Sequence, residues 1–157
     1  MDRNQLDEII SSCLQELYDQ DGQILAQDIG ECAICGRLAM LMGPKFPLYS
    51  VDIEYNRKGP GLDPKDIEMP DENGELTTHR VFPDIIIHER GHNLRNFLVV
   101  EVKKSTNAVG DEHDLAKLQA LCRQLRYQYG LFLRLSTGPN SDLAGVQRQW
   151  VEGPVIG

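Results

Sequence analysis

The sequence predicts a mixed α/β fold with elements in the order α, α, β, β, β, α, β. Three observations point to it. Two apolar patterns of helical period open the chain, short β-rich runs occupy its middle, and a third helical stripe separates those runs from a last strand. A chain of 157 residues, 41% hydrophobic and 25% charged, suits a single domain that buries most of the surface its unfolded form exposes. We read residues 1–27 as an N-terminal helical extension, 28–135 as the core and 136–157 as a C-terminal tail.

The elements follow in order. Leu6, Ile9, Ile10, Cys13, Leu14 and Leu17 recur at helical spacing over residues 2–18, and Asp21-Gly22 breaks the pattern. Asp28 opens a second helix that runs through Leu38 and Ala39 and stops at Gly43-Pro44. Leu48–Tyr55 alternates as a strand, with Tyr49, Val51, Ile53 and Tyr55 on one face and Asp52 and Glu54 on the other. Residues 56–79, rich in Gly, Pro and acid, form a loop too long for an ordinary connection. Val81–His88 and Phe97–Val102 are strands around a polar turn, Glu89-Arg90-Gly91-His92-Asn93. Asp111–Gln128 is a helix with Leu115, Leu118, Leu121, Cys122, Leu125 and Tyr129 as its apolar stripe, stopped by Gly130. Leu131–Leu135 is the last clear strand.

Composition excludes several classes. No apolar stretch approaches the roughly 18 residues a membrane-spanning helix needs, and the start, Met-Asp-Arg-Asn-Gln, has neither a secretory nor a transit character. Four cysteines in such a chain read as reduced thiols. The expectation is a cytoplasmic protein that does not contact a membrane. The net charge of −8 is unevenly placed. Residues 1–31 hold eight acids and one base, a net of −7, and residues 63–75 hold six acids and Lys65, a net of −5. From residue 76 onward ten bases outnumber eight acids. A broadly basic nucleic-acid binder is thereby disfavoured, but a local site in the C-terminal half is not.

Three short motifs are weaker than they look. His88-Glu89-Arg90-Gly91-His92 matches the zinc-protease pattern H-E-x-x-H, yet that chemistry needs both histidines on one helix face. Here the segment follows a strand and contains turn residues, so it reads as a hairpin turn. Cys32-Ala33-Ile34-Cys35 lies inside a helix and has no second pair, which favours buried structural thiols. Gly59-Pro60-Gly61 lacks the Lys-Ser or Lys-Thr of a phosphate cradle.

The informative constellation is Pro83-Asp84 followed by Glu101-Val102-Lys103. Alternation along a strand puts Glu101 and Lys103 on one face. A hairpin with its turn centred between His92 and Asn93 places Asp84 directly opposite Glu101, with Cβ atoms about 4.5–5.5 Å apart. Two carboxylates that close repel unless one is protonated or a cation sits between them. A salt-bridged sheet surface, with Lys103 neutralising the acids, accounts for the same pattern. Glu31 favours the site reading, because it shares a helical stripe with Ile34, Cys35, Leu38 and Met42 and so faces inward. Asp28-x-x-Glu31 also fits a capping box, in which Glu31 bonds the Asp28 amide.

Helix with Glu31, strand, Pro83-Asp84 strand, Glu101-Val102-Lys103 strand, helix, strand: this succession resembles the PD-(D/E)XK nuclease superfamily over about residues 28–135. The strings Val51–Arg57, Val81–His88 and Leu98–Lys104 are similar to small uncharacterised bacterial proteins of that class. The resemblance implies a restriction-endonuclease-like αβββαβ core carrying an extra N-terminal helix. It also implies a metal-dependent nuclease that hydrolyses phosphodiester bonds, of DNA in the first instance. Asp84, Glu101 and the Val102 carbonyl would bind Mg²⁺ or Mn²⁺, Lys103 would position or activate the attacking water, and Glu31 would support the metal or its water. Lys104, Lys117 and Gln124 are the candidate nucleic-acid contacts. The chain departs from members with a Gln-x-x-x-Tyr on the following helix: Arg123 stands four before Tyr127, and Leu125 four before Tyr129. The rival expectation is a non-catalytic interaction or regulatory subunit on the same fold, joined to a second copy or another protein through the N-terminal helix.

Overall fold

A computed structural model describes residues 1–154 of the chain. Its elements are α1 (Arg3–Ala26), α2 (Glu31–Met42), β1 (Ser50–Ile53), β2 (Asp66–Pro70), β3 (Leu76–Arg80), β4 (Ile85–His88), β5 (Asn96–Lys104), α3 (Glu112–Leu125), β6 (Tyr129–Leu135) and β7 (Gln147–Glu152). The main sheet has the order β1-β4-β5-β6-β7 and is antiparallel except for β5 and β6, which run parallel. Parallel neighbours need a crossover, and α3 supplies it. The fold is mixed α/β, as the sequence predicts.

Two apolar clusters sandwich this sheet. Leu6, Ile10, Leu14, Leu17, Ile34 and Leu38 of α1 and α2 pack on Ile85, Ile87, Leu98, Val100 and Val102. Leu118, Leu121 and Cys122 of α3 pack on the opposite face, with Ile86, Val99 and Phe132. The apolar stripe of α1 is buried within its own chain, so it is not left open for a partner. Each such leucine stabilises the fold by roughly 1.5–3 kcal/mol relative to exposure, which ties the acidic N-terminal segment firmly to the core.

Several boundaries differ from the sequence expectation, each for a local reason. Helix α1 passes through Asp21-Gly22 with a kink at Asp21, whose carboxylate accepts from Arg37 of α2 at 3.0 Å. Helix α2 starts at Glu31 behind Gly30, and Asp28 sits at φ 54, so the Asp28–Glu31 capping box does not form. The acidic loop contains the β2–β3 hairpin, whose buried Ile67 and Met69 dock on α3. Helix α3 ends at a left-handed Arg126 rather than at Gly130. Gly130 lies within β6, where a Cβ would come to 3.0 Å from the Cys122 sulfur. The tail adds β7 at the sheet edge, with Trp150 Nε1 donating to Asp7 at 2.9 Å.

The hairpin is also anchored by an unusual residue. The Lys65 carbonyl accepts from Val81 N–H at 3.0 Å and from Asn56 Nδ2 at 2.9 Å, closing the base of the hairpin. The Lys65 side chain is fully buried and its amine has no hydrogen-bond partner. The amine lies 5.7 Å from the Tyr55 ring centre and 5.6 Å from that of Tyr127. Burial pushes its pKa down to about 8. Between that value and the ordinary lysine range the unfolded chain holds a proton that the folded chain has lost, so stability rises with pH across that window. Lys65→Met should therefore raise stability at pH 7 by about 1–3 kcal/mol and remove its share of the rise between pH 8 and 10. Urea unfolding of both proteins at pH 7, 8 and 10 measures it; an unchanged slope would show that the amine is hydrated.

Candidate active site

The site is built where β4 begins and β5 nears its end. The register pairs Ile85 with Val100, Ile86 with Val99 and Ile87 with Leu98, and then slips by one residue before His88. Continued one step outward, it sets Asp84 against Glu101, as the hairpin geometry requires. At the end of β1, Glu54 turns at φ 50 and donates its N–H to the Pro83 carbonyl at 2.9 Å, which holds the Pro83-Asp84 peptide in place. Asp84 Oδ2 then accepts from the Val102 N–H at 2.7 Å. One carboxylate is thus tied to the backbone of the strand that carries the other.

Glu101 is 4% exposed. Its Oε2 accepts from Lys117 Nζ of α3 at 3.0 Å, while its Oε1 is buried without a hydrogen-bond partner. Burial first, and then the Asp84 charge, outweigh Lys117 and push its pKa up to about 8. Asp84 is raised as well, by burial and by the charges of Glu31 and Asp114, against the pull of Val102 N–H and Lys117. The same burial, with Asp84, Glu31 and Glu101 nearby, raises the Cys35 thiol on α2. Helices from both sides of the sheet therefore reach this point.

The lysines are placed differently from the sequence expectation. Lys103 shares the Glu101 face of β5 but pairs with Asp114 of α3 and donates to the Gly110 carbonyl at 2.8 Å. Lys117, expected to meet nucleic acid, donates to Glu101. Glu31 lies at the start of α2, where its Oε2 accepts from Lys104 N–H at 3.1 Å. Lys104 Nζ is held 3.2 Å from both the carbonyl and the carboxylate of Asp28. Gln124 exchanges two hydrogen bonds of 2.8 Å with the Glu68 backbone and so pins β2 to α3. The Val102 side chain fills the α1–α2 core. Asp84, Glu101 and Lys117 thus converge directly, Glu31 reaches them through its charge, and Lys103 reaches them through α3. Lys104 and Gln124 are occupied elsewhere.

Asp114 carries no signal of its own in the sequence. Its spacing to Lys117, one helical turn along the polar side of the α3 stripe, reads equally as a solvated face; only the crossover over β5 gives it a role. Among the described residues no three His, Cys, Asp or Glu side chains lie close enough to enclose a metal ion. The donor set does suit a hard cation that keeps most of its waters: two carboxylates, one with an orphaned oxygen. The other motifs are structural. His88 Nε2 contacts Asp52 Oδ2 at 2.9 Å from a strand, whereas His92 sits in the turn, 3.1 Å from Glu89, with Gly91 at φ 90. Of the Cys32–Cys35 pair only Cys35 is buried; Cys32 is exposed, and both are free thiols.

No protein-family model matches the chain, and no curated protein matches it. Among solved structures, the crystal structure of SSO0001 is similar with a TM-score of 0.41 and 13% identity. The match covers 94% of this chain and 66% of that one. Among the described residues, no helix is long and apolar enough to cross a membrane.

The raised Glu101 carboxyl has a consequence for stability. Its proton is retained by the folded chain at pH values where the unfolded chain has released it, so stability is greatest below the ordinary glutamate range and falls as pH rises toward about 8. Asp84 acts in the same direction. Without added metal, the melting temperature should fall between pH 5 and 8, and Glu101→Gln should flatten that fall. A wild-type protein as stable at pH 8 as at pH 5, with Glu101→Gln unchanged from it, would show that the pair is solvated.

Proposed function

We propose that the chain is a metal-dependent nuclease that hydrolyses phosphodiester bonds of nucleic acid, DNA in the first instance. The observation that carries the reading is the opposed pair Asp84 and Glu101, with the orphaned Glu101 Oε1 and two lysines beside it. Asp84, Glu101 and the Val102 carbonyl would hold Mg²⁺ or Mn²⁺. When bound, such an ion lowers the pKa of a water and neutralises charge on the phosphoryl oxygens.

The chain's own residues do the rest. Burial keeps the carboxylates poorly solvated, which favours exchange of a proton for a cation. Lys103, fixed by Asp114 and Gly110, supplies an ammonium that orients the nucleophile and offsets charge as it develops. Lys117 orients Glu101, and Glu31 adds negative charge from the helix side. The element order α2-β1-β4-β5-α3-β6, with β2–β3 inserted after its first strand, supports a restriction-endonuclease-like core. The alternative, a regulatory subunit with a closed charge network, is favoured by one fact: both lysines already have carboxylate partners.

Melting curves and cleavage assays separate the two. Millimolar Mg²⁺ or Mn²⁺ should raise the melting temperature by binding the folded state, and Asp84→Asn should abolish that rise together with cleavage. Lys103→Met should keep the metal response and lower cleavage by roughly a hundredfold or more, the scale of one lost electrostatic contact in a transition state. Single- and double-stranded DNA and RNA are all to be offered with Mn²⁺. A stable wild-type protein that neither responds to metal nor cleaves any of them overturns the nuclease reading and favours the regulatory one.

A further inference from the structure

Immediately beside the carboxylate pair lies a cleft of about 280 Å³ lined by Met69, His79, Arg80, Phe82, His113 and Lys117. It joins the outer strand of the β2–β3 hairpin to the first turns of α3. Its composition is opposite to that of the chain: no carboxylate is among its lining residues, whereas the protein carries a net charge of −8. Arg80 has no ion-pair partner among the described residues. Asp66, its cross-strand neighbour, pairs with Lys58 instead, at 3.1 Å. Lys117 belongs to both features, facing this cleft while its Nζ bonds Glu101.

Phe82 gives the cleft a second character. It is 52% exposed between buried Val81 and Pro83, and it is the most exposed aromatic side chain among the described residues. The alternation that buries its neighbours turns its ring outward, two residues before Asp84. An exposed ring beside one unpaired guanidinium, Arg80, and an ammonium shared with Glu101 is a combination that can hold an unpaired base and its phosphate: the ring stacks on any base, and the cations meet the backbone. A base inside a duplex does not offer its face to such a ring.

We propose that this cleft binds one nucleotide of a single-stranded nucleic acid, with its base on Phe82 and its phosphate on Arg80 and Lys117, beside Asp84 and Glu101. The proposal rests on the nuclease reading for its biological sense, but binding is measured without it. His79, held at 2.8 Å from Thr77 Oγ1, and His113 complete the rim. The hairpin inserted between β1 and β4 then has a function: it forms one wall of the substrate cleft.

The test is fluorescence anisotropy with a labelled oligothymidylate in EDTA at low salt, so that no hydrolysis intervenes. A DNA duplex and a base-free polyphosphate serve as comparison probes. The wild-type chain should bind the single strand, and Phe82→Ala should weaken that binding by roughly tenfold without lowering the melting temperature. Arg80→Ala should also weaken it and reduce the salt slope by about one. Failure of the wild type to bind, or indifference to Phe82→Ala, overturns the cleft. So does duplex or polyphosphate binding as tight as that of the single strand. A chain that binds as expected but never cleaves with Mn²⁺ overturns the nuclease reading and leaves the cleft standing. Cleavage with oligonucleotide binding unchanged in both variants does the reverse.

Discussion

The rest of the structure is arranged around two carboxylates, Glu101 buried and Asp84 half-buried, that face each other across adjacent strands. Burying either one alone is costly, and burying both in register adds their repulsion. The fold answers each part of that cost separately. Asp84 receives a backbone N–H from the opposing strand. Glu101 receives the ammonium of Lys117, and Lys103 is steadied by Asp114 rather than left to neutralise the pair. One oxygen, Glu101 Oε1, receives nothing.

The charge balance adds to that cost. Glu31 and Asp114 add their charge at Asp84, and Asp84 and Asp114 at Glu101, against the two ammonium groups of Lys103 and Lys117. Fully ionised, this group has two negative charges more than positive ones. In a poorly hydrated site an excess of that size is relieved by protons, by a cation, or by both in competition. The raised carboxyls are the proton solution. A divalent cation is the other, and it would displace those protons. Pairing of both lysines does not close the network, because the acids still outnumber them.

Much of this arrangement is legible in the sequence because strand geometry is simple. Alternation puts Glu101 and Lys103 on one face, and one turn position sets Asp84 against Glu101; the register over Ile85–Ile87 agrees. The slip before His88 moves the turn but not the site, since the site lies at the other end of the pairing. What is not legible depends on packing between elements far apart in the chain. The β2–β3 hairpin is hidden by its own acids and prolines, and only docking of Ile67 and Met69 on α3 makes it a sheet. Asp28 resembles a cap, but its left-handed backbone directs its carboxylate to Thr106 and Lys104. Lys117 looks like a solvated face until α3 is laid over β5. In each case a local pattern has two satisfactory partners, and tertiary contact selects between them.

Helix α3 unites fold and chemistry for a topological reason. Strands β5 and β6 are parallel, so the chain must return from the end of β5 to the start of β6, and α3 makes that return across the sheet face. The first turns of the helix therefore lie beside the last residues of β5, where Glu101 and Lys103 are. Asp114 and Lys117, one turn apart, then fall within reach of Lys103 and Glu101. In open α/β sheets the carboxyl ends of strands are where ligands collect, because helix starts and strand ends leave polar groups facing the same space. Here that space is bounded on its remaining side by β3 and Phe82. Sliding α3 by one turn along the sheet would leave β5, β6 and their pairing intact but move Lys117 off Glu101. The site is thus as sensitive to the geometry of one connection as to the identity of its acids.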